Sequence, residues 1–280
     1  RTVLLMLGLS SIAFGSLGLG CGKKGGASDG PAPADLGCLG QREAPRPGPT
    51  TELTYPAISF GQVDDMGEPL AVPGLQIQIF PDNVIPASEA CEGNCSLAED
   101  LGDGRYRFRV PGDAWFAYRV LERDAEGTLP AVLRTMEVNA DPSPTEFFGT
   151  FFVPVLEGLY QSLSVPQDEA RATLAGRFAD CNGDWVEGAT VTLANDEGVD
   201  LPYDETTFPL YLDPLPNPAL TATGPEGRYA VTNVPPGDGW VQVRVWAPNG
   251  VLVGCERVAV AANAQSGSRV RPLGIDAPCR

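Results

Sequence analysis

The chain has 280 residues, 43% of them hydrophobic, which is enough for two domains that each bury a core. A net charge of −17 argues against nucleic-acid partners, because such a surface repels phosphates. The chain has no histidine, and its only lysines are Lys23 and Lys24. We therefore expect no cofactor, no histidine-based catalysis or metal binding and no lysine nucleophile in the folded part. This composition favours a protein that is not an enzyme.

The first segment is apolar, and we interpret residues 1–20 as a signal peptide. Leu17-Gly18-Leu19-Gly20-Cys21 resembles the bacterial lipobox, in which a small residue precedes a cysteine that becomes lipidated. Gly18 departs from the motif, which prefers leucine three residues before the cysteine. The resemblance implies a membrane anchor at Cys21, on the outer membrane or the cell surface. A soluble exported protein and a retained membrane anchor are the alternatives.

Residues 21–50 are rich in glycine, proline, alanine and charge, and they have little aliphatic bulk. Such a segment cannot bury enough apolar surface to offset the loss of chain entropy on folding. We expect a disordered, flexible tether here.

Without Cys21, six of the seven cysteines remain, an even number that favours disulfides in an exported chain: Cys38, Cys91, Cys95, Cys181, Cys255 and Cys279. Cys91 and Cys95 are close enough in sequence to close a small loop. Cys181 and Cys255 lie in the same predicted domain, so we expect them to pair, which leaves Cys38 with Cys279. A thiolate metal site is the alternative, although Cys-x₃-Cys is a poor zinc motif.

Two stretches of the chain match one another. Residues 111–120 and 236–245 share Pro, Gly, Asp, Trp, Arg and Val without a gap, and Gly-Arg-Tyr precedes both, at 104–106 and 227–229. Further upstream, the segments that begin at Gly61 and Gly74 resemble those that begin at Gly176 and Gly188. The common order and spacing indicate a duplicated domain.

Within each copy, apolar residues alternate with polar ones over about five positions, the pattern of a strand with one buried face. Gly-, Asp- and Pro-rich turns separate these stretches, and few helices are expected. We predict an all-β protein with two tandem Greek-key-type β-sandwich domains, at 51–165 and 166–280.

The second copy resembles the carboxypeptidase regulatory-like domain, a module of the transthyretin-like and Cna-B-like β-sandwiches. Three motifs carry the resemblance: Gly188-Ala189-Thr190-Val191-Thr192-Leu193, Gly227-Arg228-Tyr229-Ala230-Val231 and Val234-Pro235-Pro236-Gly237. The first copy departs at two of them, with Val110-Pro111-Gly112 and Val72-Pro73-Gly74-Leu75. The resemblance implies a surface scaffold without catalytic residues.

Two features allow a ligand. Residues 180–184 carry oxygen ligands at alternate positions, as in a calcium loop, but Trp185 replaces the glycine of that motif, and a tight turn explains the same residues. Trp240 and Trp246 are expected on the polar face of one strand, where they could stack on sugar rings. Alternatively, they pack under a loop or against the first domain.

Paired carboxylates could in principle support acid–base chemistry: Glu197 with Asp200, and Asp204 with Glu205. In the loops of an acidic protein such groups are usually solvated. The sequence therefore favours a non-catalytic cell-envelope lipoprotein whose modules act as a structural spacer or bind an envelope protein. The alternative is a surface glycan-binding module that uses Trp240 and Trp246.

Overall fold

The computed structural model describes residues 34–41, 47–63, 68–82, 84–86, 90–112, 115–121, 131–137, 147–151, 153–213 and 216–273. Sixteen strands and one helix are found in this part of the chain. In chain order they are β1 Thr50–Val63, β2 Pro69–Ala71, β3 Gln76–Phe80, β4 Ser96–Leu97, β5 Glu99–Asp100, β6 Arg105–Pro111, β7 Trp115–Leu121, β8 Ala131–Glu137, β9 Phe148–Phe151, α1 Val153–Leu163, β10 Ala172–Phe178, β11 Thr190–Ala194, β12 Pro209–Tyr211, β13 Arg228–Val234, β14 Trp240–Trp246, β15 Leu252–Ala259 and β16 Gln265–Val270.

The protein is all-β, with two sandwiches of the same topology. In the first repeat, β1 pairs antiparallel with β6 and parallel with β9, while β3, β7 and β8 form the facing sheet. In the second repeat, β10 pairs antiparallel with β13 and parallel with β16, while β11, β14 and β15 form the facing sheet. The predicted fold class is confirmed, and each strand of the second sandwich has a counterpart in the first.

The strand register agrees with the sequence repeat. Gln76 lies opposite Leu121, and Thr190 lies opposite Trp246, six residues after the matched tryptophans that begin β7 and β14. The glycines of the two Gly-Arg-Tyr motifs both have a positive φ, +80° at Gly104 and +60° at Gly227. A side chain would collide with Ala71 at the first position and with the Phe178 carbonyl at the second, which explains why both motifs begin with glycine.

The most upstream part of the predicted repeat alignment, which matched Gly61 with Gly176, is wrong. Ala57 N–H donates to the Gly104 carbonyl just as Phe178 N–H donates to the Gly227 carbonyl, at 2.8 and 3.1 Å. Ala57, and not Val63, is therefore the counterpart of Phe178. Gly61 to Val63 lie in the last part of β1, past Ala57, where the strand pairs with β2. Strand register follows the residues that face the core, which the short Gly-x-Val pattern did not identify.

Each repeat has its own core. Phe148 lies at the centre of the first, with its ring 4.8 Å from that of Tyr118, 5.2 Å from Phe108 and 5.8 Å from Tyr55. Such aromatic pairs each add about 0.5–1.5 kcal/mol beyond their buried area. The second core is rich in valine, with Val231, Val243 and Val245 fully buried. The two repeats therefore share a strand arrangement but fill their cores with different side chains.

One sheet runs through both repeats. Gln265, Ser266 and Gly267 of β16 pair in parallel with residues 132–134 of β8. The resulting eight-stranded sheet has the order β12-β13-β10-β16-β8-β7-β3-β4. A small apolar cluster beside this ladder combines residues of the two repeats: Phe80, Ile85, Ala117 and Leu121 with Ala259 and Ala264.

The helix α1 lies between the repeats, where the sequence predicts the domain boundary at 165/166. Leu156 and Tyr160, one helical turn apart, are both buried. The helix ends where Ser164 takes a left-handed conformation with a φ of 55°. Among the described residues, no helix has the length and apolar character needed to cross a bilayer.

The glycine of the second Gly-Arg-Tyr motif provides a test of the packing. A Cβ at Gly227 would lie 2.7 Å from the Phe178 carbonyl oxygen, so we expect Gly227→Ala to lower the free energy of unfolding by about 2–4 kcal/mol. Gly237 also has a positive φ but no atom within 4 Å of a built Cβ. Gly237→Ala should therefore cost only about 1–2 kcal/mol. Urea titration of the two variants and the wild type measures both losses. Equal losses would contradict the role of the contact.

Candidate functional site

The outer face of β14 carries both candidate tryptophans. Val241, Val243 and Val245 point into the core, where each is at most 1% exposed, while Trp240 and Trp246 are half-buried on the opposite face. This alternation confirms the predicted placement of the two indoles. Between them on the same strand lie Gln242 and Arg244.

The loop at 195–200 lies over the strip between the two indoles. Arg244 donates to the Gly198 carbonyl at 3.0 Å and to the Asp200 carboxylate at 2.9 Å. Arg257, on the neighbouring strand β15, holds the Asp196 carboxylate with two hydrogen bonds, of 2.9 and 2.6 Å. The guanidinium of Arg257 lowers the pKa of Asp196, because the bidentate contact favours the charged carboxylate.

The two indoles have separate environments. The Trp240 ring lies 4.3 Å from the guanidinium carbon of Arg257 and packs against the apolar cluster shared by the repeats. The Trp246 indole donates its N–H to Thr192 Oγ1 at 2.8 Å. Trp240 is thus packed against the cluster shared by the repeats, and Trp246 is held to the neighbouring strand β11.

The repeat alignment pairs Arg244 with Arg119, and the structure gives the two residues one role. Arg119 is 4% exposed and donates to the Pro86 carbonyl, in the loop that follows β3. Arg244 donates to Gly198 in the loop that follows β11. Each arginine therefore fastens the loop of its own repeat to the outer face of the sheet. The matched arginines were visible in the sequence, but their loop partners were not.

The candidate calcium loop is a turn built on Asp180. One carboxylate oxygen accepts the N–H groups of Asn182 and Asp184 at 2.9 and 3.0 Å, and the other accepts Asp35 N–H at 2.8 Å. Among the described residues, no group of three Asp, Glu, Cys or His side chains is placed to hold a metal ion. The contacts of Asp180 are those of a turn-forming residue.

The paired carboxylates lie in loops. Asp200 binds Arg244, as described above. Asp204 accepts the N–H groups of Thr206 and Thr207, both at 2.7 Å, and the Thr206 hydroxyl. These donors lower the pKa of Asp204 to about 2, because hydrogen bonds to the carboxylate stabilise its charged form.

Part of the predicted tether is folded, which corrects the expectation for residues 34–41; we call them the docked segment. Leu36 and Leu39 pack against the core of the second repeat. Gly40 N–H donates to the Leu273 carbonyl at 2.9 Å, and Cys181 N–H donates to the Asp35 carbonyl at 2.9 Å. Two apolar side chains and a covalent tie supply the stabilisation that the composition of the whole tether does not suggest.

That tie is the disulfide Cys38–Cys181, so the predicted pairings of Cys181 with Cys255 and of Cys38 with Cys279 are wrong. The predicted Cys91–Cys95 disulfide is confirmed. Cys255 is also disulfide-bonded, and its partner is not one of these four cysteines. Cys279 and Cys21 lie outside the described residues. Sequence proximity could not reveal that the docked segment binds the second repeat, because Cys38 and Cys181 are 143 residues apart in the chain.

A buried polar node fastens the connection between the repeats. Asn233 is 1% exposed and has a φ of 46°, a left-handed conformation that Asn adopts more readily than most residues. Its side-chain amide donates to the carbonyls of Pro166 and Thr206 at 3.0 and 3.2 Å, and its side-chain oxygen accepts Asp168 N–H at 3.0 Å. Its backbone N–H donates to the Tyr160 hydroxyl of α1 at 3.2 Å.

No protein-family model matches the chain, and no curated protein matches it in sequence. Among solved structures, a streptococcal ancillary pilin is 12% identical with a TM-score of 0.23, over 80% of this chain and 62% of the pilin. The Bacillus anthracis TIE protein is 11% identical with a TM-score of 0.23, over 80% of this chain and 34% of that protein. GBS52, a minor pilin of Streptococcus agalactiae, is 8% identical with a TM-score of 0.21, over 79% and 96% of the two chains. The chain thus spans less than two thirds of the length of the first two of these proteins.

The node at Asn233 can be tested without disturbing its backbone. Asn233→Gly tolerates the left-handed conformation but removes three hydrogen bonds of the side chain, so we expect a loss of about 2–4 kcal/mol in the free energy of unfolding. Asn263, with a φ of 50°, is the matched control, and Asn263→Gly should change stability by less than about 1 kcal/mol. Similar losses in the two variants would contradict a special role for Asn233.

The Cys38–Cys181 disulfide closes a loop with a sequence separation of 143, whereas that of Cys91–Cys95 is 4. Because a cross-link over a longer loop restricts the unfolded chain more, we expect Cys38→Ser/Cys181→Ser to cost about 3–5 kcal/mol and Cys91→Ser/Cys95→Ser about 2 kcal/mol or less. Urea unfolding without reductant measures both variants. A larger loss from the short loop would refute this order.

Proposed function

We propose that the protein is exported to the bacterial cell envelope, is lipidated at Cys21 and uses its two β-sandwich repeats as a non-catalytic spacer or protein-interaction module. The observation that carries the proposal is the use of the other cysteines. Four of them form the described disulfides and Cys255 is bonded as well, so that of Cys21 and Cys279 only one is left unpaired, and we assign that place to Cys21. It is also the cysteine that directly follows the apolar leader.

Disulfides support export, because they persist in oxidising compartments and are rare in the cytosol. Cys38 lies 17 positions after Cys21, and its bond to Cys181 ties the chain downstream of Cys21 to a folded domain. A lipid at Cys21 would thus be connected to the sandwiches through a short covalent path.

The joining of the repeats supports a spacer role. Domains in one chain usually meet through small polar interfaces and move relative to each other. Here a shared sheet, an apolar cluster and the Asn233 node act on the same connection. Three different contacts of this kind favour a stiff unit that holds its surfaces at a set distance.

The contacts of the candidate catalytic and sugar-binding groups also favour this role. Asp200 and Asp204 hold loop structure through Arg244 and through backbone N–H groups. The alternative function, glycan binding by Trp240 and Trp246, would need both indoles on one accessible face. The loop at 195–200 between them and the packing of Trp240 against the apolar cluster shared by the repeats support the spacer role over this alternative.

Metabolic labelling of bacterial cells that express the chain, with a radiolabelled fatty acid, tests the anchor. We expect label in the wild type and none in Cys21→Ala, because the thiol of Cys21 is the proposed acceptor. The double variant Cys38→Ala/Cys181→Ala is the matched control and should keep its label. An unlabelled wild type, or label that survives in Cys21→Ala, would contradict the proposal.

A further inference from the structure

The second repeat has two opposite ends. Ala172 pairs with Val234 at one end of the ladder between β10 and β13, and Arg177 pairs with Arg228 at the other. We call the first the junction end and the second the anchor end. Since β10 has seven residues, the two ends are about 20 Å apart.

The contacts with the first repeat are at the junction end. Ala259 and Ala264, just before β16, belong to the apolar cluster shared by the repeats, and Trp240, the strand partner of Ala259, packs against it. The parallel ladder with β8 begins at Gln265, the first residue of β16. The first repeat is therefore attached where β10 and β16 begin.

The docked segment is at the anchor end. Cys181 and Asp180 follow the last residue of β10, and they hold Cys38 and Asp35. Leu273, which binds Gly40, follows the last residue of β16 by three positions. The chain thus reaches the second repeat first, at the end farthest from the junction, before it continues into β1 of the first repeat.

We propose that the docked segment sets the orientation of the protein at the membrane, with the anchor end of the second repeat facing the bilayer; this rests on the proposed lipid at Cys21. Only residues 22–33 separate Cys21 from the docked segment, a reach of about 45 Å at full extension. Without docking, the free path would run to β1 at Thr50 and reach about 100 Å. The first repeat, at the junction end, is carried on the side of the second repeat away from the bilayer.

Energy transfer to a labelled bilayer tests this orientation. The chain from Cys21 to Arg280 is coupled through the Cys21 thiol to a maleimide lipid in phosphatidylcholine vesicles that carry an acceptor dye on the headgroups. A donor dye is attached through an azide-bearing residue in place of Asn182 at the anchor end, or of Asp238 at the junction end. Both positions are exposed, and neither label uses a thiol.

We expect transfer from position 182 to be at least about twofold stronger than from position 238, because the ends differ by about 20 Å in distance from the dye layer. In an undocked variant, Leu36→Ser/Cys38→Ser/Leu39→Ser/Cys181→Ser, this difference should vanish. Equal transfer from both positions in the wild type, or the wild-type difference in the undocked variant, would overturn the proposal.

Circular dichroism shows whether the undocked variant is folded. If it is not, a flexible Gly-Ser insert between Pro33 and Ala34 replaces it, since the insert lengthens the path but leaves docking intact. Transfer from both positions should then fall while position 182 stays the stronger, and a reversed order would overturn the proposal. The lipid is attached chemically, so this result is independent of lipidation in the cell, and fatty-acid labelling is independent of orientation.

Discussion

The parallel ladder between β16 and β8 is the interaction on which the arrangement of the two repeats depends. The edge strand of any open sheet has a row of unpaired N–H and C=O groups, which tend to pair with another chain. In this protein, the last strand of the second sandwich satisfies the edge of the facing sheet in the first. The same pairing therefore closes two edges and joins two domains.

The counterpart of that edge in the second repeat is closed in another way. Strand β15 corresponds to β8, and its outer side meets Pro272 at Gly254, while Leu273 N–H donates to the Val253 carbonyl at 3.0 Å. Leu273 in turn binds the docked segment at Gly40. The edge at β8 is thus closed by a strand of the other repeat, whereas the edge at β15 is covered by the segment that follows β16.

Duplication has preserved the backbone frame more strictly than the side-chain contacts. Tyr106 and Tyr229 occupy matched positions and are both buried. The Tyr106 hydroxyl accepts Leu75 N–H and donates to the Val72 carbonyl, whereas the Tyr229 hydroxyl donates to Ser268. Burial raises the pKa of Tyr106 to about 12, and it raises that of Tyr229 as well. A buried hydroxyl needs a partner, but different neighbours can supply it.

The sequence alone predicted the features that depend on local pattern. Alternation along β3, β6 and β14, with turns between, led to an all-β sandwich, and the matched Gly-Arg-Tyr and Pro-Gly-Asp motifs revealed the duplication. The short Cys91–Cys95 loop was predictable for the same reason, since its ends are neighbours in the chain. The helix α1 was not foreseen, because Pro154 and Gly158 interrupt its apolar pattern.

Only the tertiary structure decided the features that depend on distant segments. The partner of Cys181 is Cys38, in a segment whose composition predicts disorder, and nothing local to either cysteine indicates the other. Likewise, nothing in the sequence around Asn233 marks its role, but the fold surrounds it with Pro166, Asp168 and Thr206. Local periodicity determines which face of a strand is buried, whereas the identity of its neighbours is settled by long-range packing, which no short window of sequence contains.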